Sequence, residues 1–254
     1  MTGNFDAYSA YYDAIYRDKD YAAEAEFVRG LMSRHGIEGG DLLELGCGTG
    51  RHAECFARMG FKVQGLDMSP GMIVSAKNRV PPDLAGRLSF QVADVRVVRV
   101  PRKFDAVLSL FHVLSYQTDN EDLLSVMKTA AVHLRPGGIF VFDIWYGPAV
   151  LTERPSVRVK RMEDGQVGIV RLAEPAMHAN RNVVDVNYTV WVKDKHGRGV
   201  IDFAECHPMR YLFLPELEHM LGLQGFEVVN AVEWMTGNEP GYSTWSVAVC
   251  AILK

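Results

Sequence analysis

Cysteine is scarce in this chain: its 254 residues contain four, Cys47, Cys55, Cys206 and Cys250. They show neither C-x-x-C spacing nor a compact disulfide pattern, which argues against a zinc ribbon or a stapled secreted domain. Long apolar runs are also lacking. None approaches the ~20 residues needed to span a bilayer, and no segment joins a basic start to an apolar core as a secretion signal would. Positive charge is not in excess either, with 27 Lys and Arg against 31 Asp and Glu, a net charge of -4 and a pI near 6.1. Such a balance offers no basic field to a phosphate backbone. Repeats, long linkers and low-complexity segments are absent. A cytoplasmic protein with reduced thiols and a small-molecule partner is expected, with no membrane and no nucleic acid.

What is present is 48% hydrophobic content, ample for a buried core, in a length that suits one main domain with an insertion. The chain is organised around Asp41-Leu42-Leu43-Glu44-Leu45-Gly46-Cys47-Gly48-Thr49-Gly50-Arg51. A short apolar run meets glycines at alternate positions and a helical pattern follows, which reads as strand, tight turn and helix N-terminus. Glycine tolerates positive φ and lets a ligand approach the backbone closely, with free amides and the helix dipole facing it. The dinucleotide fingerprint G-x-G-x-x-G would need its third glycine at position 51, where Arg51 stands. Further on, Gly65-Leu66-Asp67-Met68-Ser69-Pro70 puts an acid at a strand end before a helix start, and Ala93-Asp94-Val95 puts a second acid at another strand end.

Together these three sites resemble the class I S-adenosylmethionine-dependent methyltransferases. The resemblance implies an α/β fold, a Rossmann-like doubly wound seven-stranded mostly parallel sheet, here with an inserted antiparallel β subdomain. Strands are expected at 41–45, 62–66, 88–92, 104–109 and 138–144, and helices at 51–59, 71–79 and 119–134. Pro136-Gly137-Gly138 is expected to end the last helix and turn the chain into its strand. Residues 147–210 break the rhythm. Alternating stretches at 157–161, 167–172, 183–192 and 200–203 read as antiparallel strands, with turns at Asp164-Gly165 and His196-Gly197. Residues 1–146 and 211–254 would form the methyltransferase domain, with a helical lid over about 1–35, while 147–210 would roof the substrate pocket, supply a homodimer surface, or both. A helix at 215–223 and strands at 226–234 and 243–252 would complete the sheet.

Residues 5–34 hold half of the ten tyrosines, and Tyr8, Tyr12 and Tyr16 share one face at helical spacing. Packing onto the core and service as a lid both remain open readings. Tyr12-Asp13-Ala14-Ile15-Tyr16 and Asp18-Lys19-Asp20-Tyr21 are similar to the opening of bacterial N-methyltransferases of nucleotide-linked amino sugars, and that resemblance implies that Tyr16 and Tyr21 line the active site. It further implies cofactor contacts from Glu44, Gly46, Gly48 and Gly50 to the methionyl part and from Asp67 to the ribose. Met68 would meet the adenine face, Asp94 and Val95 its edge, and Leu110 the same pocket. Capping of the following turn is the alternative for Asp67 and Asp94.

On the acceptor side, His112 follows the fourth strand, where a histidine can take a proton near neutral pH or can simply be packed. Tyr12 is expected among the substrate-binding residues, and Tyr116, Trp145 and Tyr146 as an aromatic wall, core packing being the competing role for Trp145. Asp143 ends the fifth strand, His133 reads as structural, and Arg51 reads equally as a solvated helix residue. Glu205 and His207 share a strand face, but two ligands make a poor metal site, so no metal is expected. Leu110-Phe111-His112-Val113 departs from the Asn/Asp-Pro-Pro-Tyr/Phe tetrad of nucleic-acid N-methyltransferases. The expected reaction is methylation of the amino group of a nucleotide-linked deoxyamino sugar. The alternatives are O- or N-methylation of another small metabolite, or a non-catalytic cofactor-binding protein.

Overall fold

The alternation of apolar runs and helical patterns builds one sheet in the computed structural model, which describes residues 6–163, 167–194 and 199–254. Strands β1 (Asp41–Leu45), β2 (Lys62–Asp67), β3 (Leu88–Val92), β4 (Phe104–Ser109) and β5 (Leu134–Tyr146) are parallel, in the order β3-β2-β1-β4-β5. After β5 come the antiparallel strands β6 (Arg158–Glu163), β7 (Val167–His178), β8 (Val183–Asp194) and β9 (Val200–Leu212). The last two strands, β10 (Phe226–Glu233) and β11 (Ser246–Leu253), pair with each other, and β11 pairs antiparallel with β5. Strand order reverses between β1 and β4, and a ligand crevice in such a sheet lies at the carboxyl ends of the strands flanking that reversal.

The helices start where capping chemistry permits. Helix α1 spans Asp6–Ile15 and α2 spans Tyr21–Ser33, the latter opened by Asp20, whose carboxylate accepts the Ala23 amide at 2.9 Å. Helix α3 (Arg51–Arg58) leaves the glycine loop, and α4 (Pro70–Arg79) begins after Ser69, whose hydroxyl caps the Met72 amide at 3.3 Å. Helix α5 (Asn120–His133) is capped by Asp119, while α6 (Gly147–Thr152) and α7 (Leu214–Leu223) each carry proline in their first turn. Side chains alternate across β1: Leu42 faces the core under α2 and α3 with Phe56 and Val63, and Leu43 faces the opposite core with Met127 and Phe140. Burial on both faces explains why the apolar Leu42 and Leu43 follow each other in β1 rather than alternating with polar residues.

Three expectations are revised. β5 begins directly after α5, and residues 135–138 oppose the single Asp105, so Pro136-Gly137-Gly138 is a bulge within the strand, held by an Arg135 to Asp105 ion pair of 2.5 Å. The tyrosine helix stops at Ile15, one residue before Tyr16. The Tyr16 amide nevertheless bonds the Tyr12 carbonyl at 3.0 Å, which keeps their rings 4.8 Å apart. The side chain of Tyr8 and the turns expected at Asp164-Gly165 and His196-Gly197 lie outside the described residues. The sheet has eleven strands among the described residues rather than seven, because β5 outruns β4 and pairs through Trp145 and Tyr146 with Tyr211 and Leu212 of β9. The antiparallel strands are thereby joined to the parallel sheet, and Ile15 of α1 packs on them against Met162, Ile169 and Val190. No helix among the described residues is long and apolar enough to cross a membrane.

Replacing Leu43, which is fully buried, by Ala should cost about 2–5 kcal/mol in urea unfolding, whereas Leu223→Ala, at a side chain 61% exposed, should stay within about 0.5 kcal/mol. Equal effects would place the core elsewhere.

Candidate active site

Backbone geometry explains the three loop glycines. Gly46, Gly48 and Gly50 have φ of +75°, +53° and +76°, a region that costs other residues strain. A Cβ on Gly46 would stand 2.6 Å from the Val113 methyls and one on Gly50 would stand 2.7 Å from Phe90, while at Gly48 it would meet nothing within 4 Å. The loop is therefore wedged between Val113, in the turn after β4, and the Phe90 ring in the middle of β3, with open space at its middle glycine. Its far side is tied to α1 by Asp13, which accepts from the Thr49 hydroxyl at 2.9 Å and from Arg51 at 3.1 Å and also pairs with Arg79. Arg51 is thus not a solvated helix residue. Its guanidinium also lies 5.4 Å from the Tyr21 ring.

Glu44 lies under the loop with 1% exposure, and its Oε2 has no hydrogen-bond partner among the described residues. Burial, with the charge of Asp67 adding to it, pushes this carboxyl from 4.5 up to about 8. His52 lies beside it, with Nδ1 3.9 Å from Glu44 and Nε2 2.8 Å from Glu24. Glu24 is itself buried, which would lift its carboxyl, but hydrogen bonds from His52 and Lys19 outweigh burial and hold it below the usual value. Tyr21 closes this row, its ring 4.9 Å from His52 and its buried hydroxyl without a hydrogen-bond partner among the described residues.

Asp67 ends β2 and accepts the Gly48 amide at 2.9 Å and the Ser69 amide at 2.9 Å. It therefore caps its own turn and also fixes the glycine loop, and burial raises its carboxyl above the usual value. Met68 beside it is 49% exposed. The Asp94 carboxylate is gripped by Arg96, with Nη2 at 2.7 Å, and Arg96 also reaches Asp122 of α5 at 2.6 Å. That pairing holds Asp94 below the usual value and engages both of its oxygens. Leu110 is buried in the core beneath the crevice-side turn that follows β4. Val95 is half-buried against the α5-side core.

Across the crevice, Phe111 and His112 adopt left-handed φ of 67° and 62°. Asp143, 2% exposed at the end of β5, holds this turn: its Oδ1 accepts the His112 amide at 3.1 Å, and its Oδ2 lies 2.8 Å from His112 Nδ1, out of line for a straight hydrogen bond. Burial pushes the Asp143 carboxyl up, but the adjacent imidazole, its amide and the more distant Lys19 together bring it below the usual carboxylate range. Lys19 pairs with Glu24 and sits 4.0 Å over the Phe111 ring. A run of rings follows: Tyr16 stands edge-on to Phe111 at 5.0 Å, His112 lies 6.3 Å from Trp145, and Trp145 lies 5.9 Å from Trp245.

The expected aromatic wall is only partly realised. Trp145 and Tyr116 pack in one cluster with Tyr188, while Tyr146, the next residue along the strand, points to the opposite face and packs with the α5 and α7 side. Tyr146 is therefore removed from the acceptor wall. Tyr12 packs on the antiparallel strands beside Tyr16. His133 is structural as expected, taking the Val100 amide on Nε2 at 2.8 Å and giving Nδ1–H to Thr129 at 2.7 Å. The sequence reading missed Asp13, Lys19, Glu24 and His52, whose partners are 5 to 66 residues away and leave no local signal. Phe111 was named only within the Leu110–Val113 stretch and was given no role of its own. No group of three or more His, Cys, Asp or Glu among the described residues is arranged to hold a metal.

The residues fit S-adenosylmethionine. An orphaned carboxylate oxygen under the loop suits the cofactor's ammonium, Gly48 leaves space beside it, and Asp67 stands at the adjoining strand end with exposed Met68. A bound ammonium favours ionised Glu44, so binding of S-adenosylhomocysteine should release a proton and tighten as pH rises from about 4.5 towards about 8. Calorimetry in two buffers of different ionisation enthalpy reads that proton, and Glu44→Gln should abolish it. Asp67→Ala should weaken the same binding at least tenfold by freeing the Gly48 amide as well as removing an acceptor; an unchanged affinity would take Asp67 out of the site.

A methyltransferase-domain family matches residues 42–138, the stretch from β1 to the bulge of β5. The chain is 31% identical over 233 residues to a dTDP-3-amino-3,4,6-trideoxy-alpha-D-glucopyranose N,N-dimethyltransferase of Streptomyces venezuelae, covering 91% of this chain and 92% of that one. It is 32% identical over 196 residues to a dTDP-4-amino-2,3,4,6-tetradeoxy-D-glucose N,N-dimethyltransferase of Saccharopolyspora spinosa, covering 76% and 75%. Among solved structures, Streptomyces venezuelae DesVI superposes with a TM-score of 0.78 at 28% identity over 98% of both chains. Likeness of this extent, on a crevice whose residues suit the sulfonium cofactor, shows that the chain belongs to the class I S-adenosylmethionine-dependent methyltransferases.

Proposed function

We propose that the chain methylates the amino group of a nucleotide-linked deoxyamino sugar. The observation that carries this reading is the His112–Asp143 pair, set in a ring of aromatic side chains across from the glycine loop. The names of the two relatives, both N,N-dimethyltransferases of dTDP-linked amino sugars, support it. Bound S-adenosylmethionine supplies an electrophilic methyl group. For an amine to attack it, the nitrogen must be neutral and aimed, with water excluded.

Tyr16, Phe111 and Trp145 form the apolar wall that excludes water, and the antiparallel strands roof it through α1. Orientation in such a pocket supplies as much as ~7–11 kcal/mol, more than the ~10²–10⁴-fold of a single general base. The base is His112. In the neutral ring Nδ1–H faces Asp143, so the lone pair is on Nε2, which accepts the ammonium proton while Asp143 stabilises the resulting imidazolium. A carboxyl held below the usual range stays ionised throughout that step. Tyr16, gripped by the Arg171 guanidinium at 3.2 Å, aligns the sugar under the lid.

Mass spectrometry of mixtures with S-adenosylmethionine and a panel of nucleotide-linked amino and hydroxy sugars tests the reading: a methyl-sized gain on amino sugars alone supports it, and tight cofactor binding without product retires it. His112→Ala should lower kcat about 10²-fold while leaving S-adenosylhomocysteine affinity unchanged. A loss below tenfold would remove the base.

A further inference from the structure

The ammonium of the cofactor's methionyl part carries three N–H donors, and the orphaned Oε2 of Glu44 accounts for one of them. A donor left without an acceptor in a buried pocket is costly, so the walls around Glu44 are the place to look for a second acceptor. His52, at the start of α3, stands there. Its Nδ1 lies 3.9 Å from Glu44 Oε1, and the two side chains are only 7% and 2% exposed. That separation is too long for a hydrogen bond between them. Nδ1 forms no hydrogen bond to any described residue. A buried imidazole flanked by two buried carboxyl groups is expensive to desolvate, and an apolar residue of similar size would pack α3 against α2 at lower cost.

Glu24 decides which ring nitrogen is free. Its Oε1 is taken by Lys19 and its Oε2 by His52 Nε2 at 2.8 Å, so both oxygens are engaged and the two partners hold the carboxylate ionised. An ionised carboxylate only accepts, which puts the ring proton on Nε2; a neutral imidazole then presents a lone pair at Nδ1, the atom beside Glu44. The Tyr21 ring, edge-on to the imidazole at 4.9 Å, helps keep it from turning over. Two acceptors 3.9 Å apart cannot bond each other, but one cation with several N–H groups reaches both at ~2.8–3.0 Å. We propose that His52 Nδ1 is a second acceptor for the cofactor's ammonium, with Glu24 as the positioning residue that fixes its tautomer. The site then recognises the amino group itself and discriminates against a ligand that lacks it.

Calorimetry with two ligands separates this role from packing and needs no methyl acceptor. One ligand is S-adenosylhomocysteine, and the other is its analogue with hydrogen in place of the α-amino group. His52→Leu should weaken S-adenosylhomocysteine binding about tenfold and binding of the amino-free analogue by under about twofold. His52→Asn, whose side-chain oxygen can stand near the Nδ1 position, should recover most of the loss. Equal weakening of both ligands, or equal defects in the Asn and Leu variants, would assign His52 to packing and overturn the proposal. A second measurement leaves the wild-type side chain in place. In protein labelled with 15N-histidine, the His52 signals are those missing from His52→Asn. The expected ring carries its proton on Nε2, and its bare Nδ1 shifts on addition of S-adenosylhomocysteine but not of the amino-free analogue. An Nδ1 that carries a proton in the S-adenosylhomocysteine complex overturns the proposal, since it has no lone pair to give an ammonium. Both measurements read the cofactor site alone, so their outcome is independent of which acceptor the enzyme methylates.

Discussion

A buried carboxylate holds the turn on which the crevice depends. Asp143 accepts the amide of His112 and stands 2.8 Å from its ring Nδ1, and so helps fix two successive non-glycine residues in left-handed conformation. Each such residue costs on the order of 1 kcal/mol or more, and a hydrogen bond to a charged group contributes about 1.5–3 kcal/mol in return. The turn persists because the carboxylate sits at its centre. It also sets the position of Val113 against Gly46, so the cofactor loop and the β4 exit share one contact surface. Moving the turn would displace the loop, His112 and the ring of Phe111 together.

The second constraint is the way α1 and the segment after it are tied across that crevice. Asp13 meets cations from α3 and α4 and the hydroxyl of Thr49, while Lys19 reaches Glu24 and the Phe111 ring. These contacts are partly buried and involve charged partners, so they exceed the near-zero worth of exposed surface pairs. The N-terminal segment thus touches both sides of the site, and the antiparallel strands lie on its other side through Ile15. That stacking puts Tyr16 between the parallel sheet's crevice and the basic side chains of β6 and β7, Lys160 and Arg171.

The parallel sheet was legible because its information is local. The apolar run of β1, the glycines with their positive φ and the acid at the end of β2 each specify their geometry within a few residues, and the caps Asp20, Ser69 and Asp119 announce their helices. The start of β5 was misread because a Pro-Gly-Gly segment is chemically a turn, and only pairing with β4 makes it a bulge. Tyr146 was misassigned because its neighbour Trp145 suggested one continuous wall, although strand alternation sends the two to opposite faces.

By itself, then, the sequence determined the order of strands and helices, the cofactor loop and the candidate acids at the strand ends, since spacing and backbone preference act over short range. Tertiary structure alone decided which charges meet. It brought Asp13 to Arg79, Glu24 to His52, Arg96 to Asp122, and Tyr116 to His207 across 91 residues of chain. It also extended the sheet, because the edge that β5 leaves beyond β4 offers unpaired backbone groups that β9 satisfies. The physical reason is common to these cases: hydrogen bonds and ion pairs depend on distances of a few ångströms, and packing, not sequence separation, sets those distances.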